Sequence, residues 1–244
     1  MKKENIKIIL SRTWSPGNIG SILRSMKNFD FSNIVAVDQI NFDDIEMNIM
    51  AAGAKDHIRY LRNSDDLKTE VESCNVVYAF TARKRKYYKY LTPKSMANEI
   101  IQLGNDVKVG LLFGNETNGL TNDETDLADK LVCIPTSEKY SSMNLASAVM
   151  IALYELSNSL SVGIRSEFSE DLINLKEKEE LFNITSSLVS QKLMHKSNNQ
   201  KKIRENIRHL LKRVNLNKKE IGFIRSIIKI IDINIPEPEQ DNNN

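Results

Sequence analysis

The chain reads as an α/β protein built on a mostly parallel sheet, followed by a small α-helical C-terminal extension. Before Leu160, short apolar runs of strand length alternate with segments whose apolar residues recur at helical spacing. That βαβα alternation is the mark of a parallel sheet covered on both faces. After Leu160 the strand-like runs stop and charged helical segments take over. The expected division is a first domain over 1–160, a polar linker over 161–170, a basic helical extension over 171–233 and a tail over 234–244. The tail is rich in Pro, Glu and Asn, a composition that buries too little apolar surface to fold.

Ile6–Leu10 is the first expected strand. A helix follows from about Asn18 to Asn28, where Ile19, Ile22, Leu23 and Met26 form one apolar stripe. Asn33–Val37 is a short strand, Asp44–Ala52 a helix, and His57–Tyr60 an extended stretch. Ser64 is positioned to cap a helix over Asp65–Ser73. Asn75–Phe80 is a strand, Pro93–Leu103 a helix with proline in its first turn, and Val107–Phe113 a buried strand. Asn122–Asp129, Leu131–Ile134 and Asn144–Leu160 supply a helix, a strand and a long helix. In the extension, two or three charged helices run to about Ile231, with Leu210, Leu211, Val214, Ile221, Ile224, Ile227 and Ile228 on their apolar sides.

Hydrophobic residues make up 41% of the chain and charged residues 27%, ordinary values for a globular protein with a real core. No apolar run approaches the roughly 18–20 residues of a membrane span, and Met-Lys-Lys-Glu-Asn does not open a signal peptide. Cys74 and Cys133 stand apart, and His57, His195 and His209 lack metal-ligand spacing, so neither a disulfide framework nor a metal site is expected. A cytoplasmic protein fits these features. The net charge of +2 conceals an asymmetry: between Lys192 and Lys229 there are twelve basic residues and two acids. A second cluster, Arg83-Lys-Arg-Lys-Tyr-Tyr-Lys-Tyr90, interleaves cations with tyrosines. Such clusters point to a polyanion, most naturally nucleic acid, or else form solvated basic faces.

Two segments carry the chemistry. Val107–Leu120 is an apolar strand running into a glycine-bracketed loop with a carboxylate, Glu116; Val132–Leu145 is a strand that ends in a long polar loop before an apolar helix. Strands that end in irregular loops present backbone to ligands, and two such loops close in sequence suggest one shared site. Gly17-Asn-Ile-Gly20 imitates a dinucleotide fingerprint but lacks its third glycine. Gly114–Thr121 is one residue from a phosphate-binding loop, with Leu120 where the lysine should stand. By spacing alone Arg24 is a surface arginine, Glu116 a loop carboxylate, and Ser141–Asn144 a set of helix caps.

As an ordered set these residues resemble a family. Gly17-Asn-Ile-Gly-Ser-Ile-Leu-Arg-Ser-Met-Lys-Asn-Phe29, Phe113-Gly-Asn-Glu-Thr-Asn-Gly-Leu120 and Ile134-Pro-Thr…Tyr140-Ser-Ser-Met-Asn-Leu-Ala-Ser-Ala-Val149 are similar to the three motifs of the SPOUT RNA methyltransferases, in the TrmH/TrmJ branch that methylates ribose 2′-hydroxyls. Met50-Ala-Ala-Gly-Ala-Lys-Asp56 resembles a further stretch of the TrmJ type. The likeness covers about Ile6–Leu160 and is looser beyond it. Asp30 stands where relatives tend to have glycine, and Met143 where they often have leucine.

The resemblance implies a C-terminal trefoil knot, a homodimer, and S-adenosyl-L-methionine held by Phe80, Thr81, Ala82, Gly114, Gly119, Ile134, Ser141, Ser142 and Met143. It assigns Arg24 as the central catalytic residue, with Asn18, Glu116, Ser142 and Asn144 around it. Arg24 could then serve as base or as electrostatic stabiliser; a guanidinium keeps its proton in proteins, which favours gripping phosphate and stabilising a developing alkoxide. RNA would be held by Arg83, Lys84, Arg85, Lys86, Lys201, Lys202, Arg204, Arg208, Lys212 and Arg213. With no RNA-binding domain ahead of Ile6, the expected substrate is tRNA, at the pyrimidine in position 32 of the anticodon loop. Ribosomal RNA is the alternative substrate, a catalytically inactive knotted RNA-binding protein the alternative of another class, and a nucleotide-dependent oxidoreductase the remaining enzyme. No membrane and no metal are implied.

Overall fold

Seven short strands, Ile6–Ser11 (β1), Ile34–Val37 (β2), Leu61–Ser64 (β3), Val76–Phe80 (β4), Tyr90–Leu91 (β5), Val109–Phe113 (β6) and Lys130–Val132 (β7), form one sheet in the order β3-β2-β1-β6-β4-β7-β5. Every pairing in it is parallel. The computed structural model describes residues 1–38, 44–83, 89–161, 172–190 and 199–234; the expected linker and tail and the cluster residues Lys84, Arg85 and Lys86 fall largely or wholly outside them. Two units result, Met1–Glu170 and Asp171–Asn244. Among the described residues no helix is long and apolar enough to cross a membrane.

The central strands β1, β2, β4 and β6 are almost wholly buried, which is why β2, β4 and β6 are continuous apolar runs and β1 is one interrupted only by Lys7 before its closing Ser11. β1 and β6 lie side by side where the strand order reverses, the position at which open parallel sheets form ligand crevices beyond their carboxyl ends. The helices of this unit are Pro16–Asn28 (α1), Asp44–Ala51 (α2), Leu67–Glu72 (α3), Pro93–Ile101 (α4), Asn122–Asp126 (α5) and Leu145–Ser161 (α6).

Local chemistry shifts several expected boundaries. α1 begins at Pro16, because Ser15 Oγ accepts from the Asn18 amide and proline suits the first helical position. It ends in a Schellman turn: Phe31 N donates to Met26 O, Asp30 N donates to Lys27 O, and Asp30 takes φ 59°. Aspartate tolerates that left-handed conformation, so the turn forms without a glycine. His57–Tyr60 is not extended. It closes a 3₁₀ helix over Ala52–Tyr60, and the strand follows it at β3. Ser64 ends β3 and does not cap α3; Asp66 does, accepting from Lys68 N. β5, only two residues long, was not legible in the sequence pattern.

The second unit consists of Leu175–Leu188 (α7), Gln200–Arg213 (α8) and Lys218–Asn234 (α9). Asn174 and Glu177 close a reciprocal capping box at the start of α7. Ile173, Leu181, Leu188, Leu216, Ile221 and Ile228 form the core, with Leu211, Ile224 and Ile231 packed against it. Leu210, Val214 and Ile227, placed by periodicity on the apolar side, are exposed instead.

Candidate active site

The carboxyl ends of β4, β6 and β7 open into a cleft of about 290 Å³, close to the lower end of the roughly 300–1,000 Å³ usual for small-molecule sites. Three loops wall it: 80–83 after β4, 113–120 after β6, and 132–148, which leads from β7 into α6. Phe80, Thr81, Ala82, Gly114, Gly119, Ile134, Ser141, Ser142 and Met143 all line it, as do Glu116 and Arg83. Phe80 and Phe113 stack at 4.3 Å between ring centroids and form an apolar floor.

The loop after β6 is folded tightly. Gly119 N donates to Asn115 O at 2.7 Å, and Asn115 Oδ1 accepts from Thr117 N and Asn118 N. Gly119 takes φ 63°, and a Cβ on Gly114 would collide with backbone of Gly119 and Leu120. Glycine is therefore required at 114 by lack of space and favoured at 119 by its left-handed backbone. Arg83 Nη2 donates to Asn118 O at 3.0 Å, tying the first loop to the second.

Glu116 is the hub at the cleft edge. Its Oε1 accepts from Thr13 Oγ1 at 2.7 Å, Asn18 Nδ2 at 3.1 Å and Ser15 N at 3.3 Å, and its Oε2 accepts from Trp14 N at 3.3 Å. Burial alone would raise its pKa; the hydrogen bonds led by Thr13 and Asn18 outweigh burial and hold it below the usual carboxylate range. It is therefore an ionised anchor at neutral pH, with little capacity as a proton acceptor. Asn144 Nδ2 donates to Asn18 Oδ1 at 2.9 Å, and Asn144 Oδ1 accepts from Ser147 N to cap α6. Glu116, Asn18 and Asn144, more than a hundred residues apart at the extremes, thus form one chain of hydrogen bonds.

Arg24 is not joined to this chain of hydrogen bonds. Six residues along α1 from Asn18, it is exposed, does not line the cleft, and its guanidinium makes no hydrogen bond or ion pair among the described residues. Gly17 and Gly20 face Glu46 and Met47 of α2 rather than the cleft, contrary to a dinucleotide fingerprint. In the second unit Lys201, Lys202, Arg204 and Arg213 are exposed on α8. Arg208 lies 4.2 Å over the Phe182 ring and bonds Glu179, with Arg204 at 5.6 Å from the same ring; Lys212 is half-buried. Among the described residues no cluster of His, Cys, Asp or Glu could hold a metal ion.

A second network, not expected from the motifs, lies beneath the loop. Arg12, at φ 54°, grips Glu124 in a fork, Nε to Oε1 at 2.8 Å and Nη2 to Oε2 at 2.7 Å, and Nη2 also reaches Gly119 O at 3.2 Å. Glu124 further accepts from Ser11 Oγ and Thr121 N, closing a capping box on α5. Burial again works against ionisation, yet the Arg12, Ser11 and Thr121 bonds bring this carboxyl down to about 2. The Thr121-x-x-Glu124 spacing is the signal that could have revealed it.

Residues 5–154, spanning the sheet and the cleft, match the profile of the SpoU rRNA Methylase family, and the chain belongs to that family. Among its individual relatives is the tRNA (cytidine/uridine-2′-O-)-methyltransferase TrmJ of Pectobacterium atrosepticum, 38% identical over 154 residues that cover 63% of this chain and 64% of that protein. The corresponding match to TrmJ of Sodalis glossinidius is 39% identical and covers 62% and 60%. The chain thus spans somewhat less than two thirds of the length of these two curated relatives. TrmJ of Salmonella typhimurium matches at 29% identity over 236 residues, 94% of this chain and 97% of that one. The crystal structure of TrmJ from Z. mobilis ZM4 superposes with a TM-score of 0.71 at 27% identity, covering 93% and 98%.

Proposed function

We propose that this protein transfers a methyl group from S-adenosyl-L-methionine to a ribose 2′-hydroxyl of tRNA, at the pyrimidine in position 32 of the anticodon loop. The observation that carries the reading is the conjunction of cleft and network. Every residue expected to hold the cofactor lines one cleft, and the Glu116–Asn18–Asn144 chain stands at its edge. The curated relatives are tRNA 2′-O-methyltransferases, and the neighbouring structures include the SpoU methyltransferase AviRb of Streptomyces viridochromogenes in complex with AdoMet, similar in fold.

The cleft suits such a cofactor: Ile134, Leu145, Ala148 and Phe80 offer an apolar wall for a base, and the loop at Gly114–Gly119 brings backbone close where a side chain would intrude. The cofactor supplies an electrophilic methyl on a sulfonium. The chain's residues must fix the ribose, hold the phosphodiester and steady the oxyanion that develops as the 2′-hydroxyl gives its proton to solvent water. Asn18 and Asn144, each already polarised by a neighbour, orient the ribose, with Ser142 beside them. Glu116 orients Asn18 and contributes fixed negative charge.

Arg24 grips phosphate and stabilises the developing alkoxide, in this proposal at the cleft of a second copy. Its exposure on α1 supports that role, as does the exposed ridge of Met150 and Tyr154 on α6, where Tyr154 meets Phe29 edge-on at 6.2 Å. The proposal accordingly includes a homodimer, the knotted topology of the family, a cytoplasmic location and RNA contacts from the Arg83 cluster and the basic α8. A test is transfer of labelled methyl from S-adenosyl-L-methionine to unmodified bulk tRNA and, separately, to ribosomal RNA. Transfer to tRNA, lost in Asn18→Ala, is expected; transfer to ribosomal RNA alone would replace the substrate, and none to either would end the catalytic reading.

A further inference from the structure

The loop between β1 and α1 is tied down on both sides of a residue that is left open. Thr13 is fully buried, with its hydroxyl on Glu116; Ser15 gives its amide to Glu116 and caps α1; Arg12 is fixed by its fork on Glu124. Trp14, between them, donates its own amide to Glu116 Oε2, yet the residue is 49% exposed. A large apolar ring is therefore presented to solvent from a backbone that has almost no freedom left to lose on binding. Isolated exposed hydrophobic residues are common, but this one is held one hydrogen bond from the carboxylate that orients Asn18.

We propose that Trp14 is the stacking platform for the base of the target nucleotide. In a nucleoside the base hangs from C1′, the carbon next to the one bearing the reactive 2′-hydroxyl. A ribose oriented by Asn18 and Asn144 therefore carries its base into the immediate neighbourhood of this loop. Single-stranded RNA is held by stacking its bases on aromatic rings, and stacking tolerates any base because each has a π-face. An indole platform accepts cytidine and uridine alike without reading their edges. The inference rests on the tRNA reading above.

Trp14 is the chain's one tryptophan, so its emission reports on this site alone. Titration of wild-type protein with unmodified tRNA should quench it, whereas S-adenosylhomocysteine alone should not. Trp14→Ala should raise KM for tRNA about tenfold. Its Kd for S-adenosylhomocysteine should stay near wild type, because the amide that binds Glu116 remains, and Trp14→Phe should recover most of the loss. Wild-type transfer to tRNA with unchanged KM in Trp14→Ala would overturn this inference alone. A change in oligomeric state in Trp14→Ala would overturn it too, assigning the ring to subunit packing. Wild-type protein that transfers nothing to tRNA would overturn the substrate reading and this inference with it.

Discussion

Replacing Glu124 by glutamine removes the charge that holds the underside of the cleft loop. Its carboxyl sits at about 2 against an ordinary 4.5. At ~1.4 kcal/mol per pH unit that difference corresponds to ~3 kcal/mol of native-state stability. The Arg12 side chain is 35% exposed, so solvent screening reduces the expected loss to about 2 kcal/mol. The sign follows from a depressed folded-state value: the contribution is complete above about pH 5 and is lost as pH falls toward 2. Urea unfolding of wild type and Glu124→Gln, followed through Trp14 emission, should differ by about 2 kcal/mol at pH 7. The gap should hold up to pH 8 and close progressively below about pH 4.5, because only the wild type then loses a charge. Since Arg12 also holds Gly119 O, the variant should bind S-adenosylhomocysteine more weakly at pH 7. Equal stability of the two proteins at pH 7, or a gap that widens in acid, would refute the reasoning.

Further outcomes follow from the same contacts. Arg24→Ala should leave stability within ~0.5 kcal/mol of wild type, since its guanidinium has no partner among the described residues, and should abolish most methyl transfer; denaturation and transfer assays on one preparation separate the two effects. Gly114→Ala should drive a methyl group into the backbone of Gly119 and Leu120, weakening S-adenosylhomocysteine binding at least tenfold by calorimetry and costing ~1–3 kcal/mol of stability. Replacing Lys201 and Lys202 together by alanine should reduce the salt dependence of tRNA binding by a slope of up to ~2, measured as log Kd against log salt, while cofactor affinity stays the same.

The parallel sheet was legible because its central strands are buried on both sides and so read as apolar runs, unbroken in Val109–Phe113 and interrupted only by Lys7 in Ile6–Leu10. The cleft loops were legible for a related reason: each is one continuous segment, so the glycines and polar residues of 113–120 and 132–145 lie together in sequence before they meet in space. The Arg12–Glu124 fork joins residues 112 apart; locally Glu124 is marked only by its capping-box spacing from Thr121, and nothing beside Arg12 announces its partner. The extended reading of His57–Tyr60 failed because four residues are too few to reveal a period: Ala51, Ala54, His57 and Tyr60, the more buried positions, recur every third residue, as a 3₁₀ helix requires. On α8 and α9, periodicity marked Leu210, Val214 and Ile227 as apolar sites, but three short helices bury only one stripe each. Arg24 is legible as a family residue, whereas in one chain it is exposed on α1 and makes no hydrogen bond to the groups expected around it.

The most direct test is nucleoside mapping by mass spectrometry after incubating the protein with labelled S-adenosyl-L-methionine and unmodified tRNA. A single 2′-O-methylated pyrimidine at position 32 is expected, absent when Arg24→Ala replaces the wild type. A labelled methyl on a base, or an equal yield from Arg24→Ala, would contradict it.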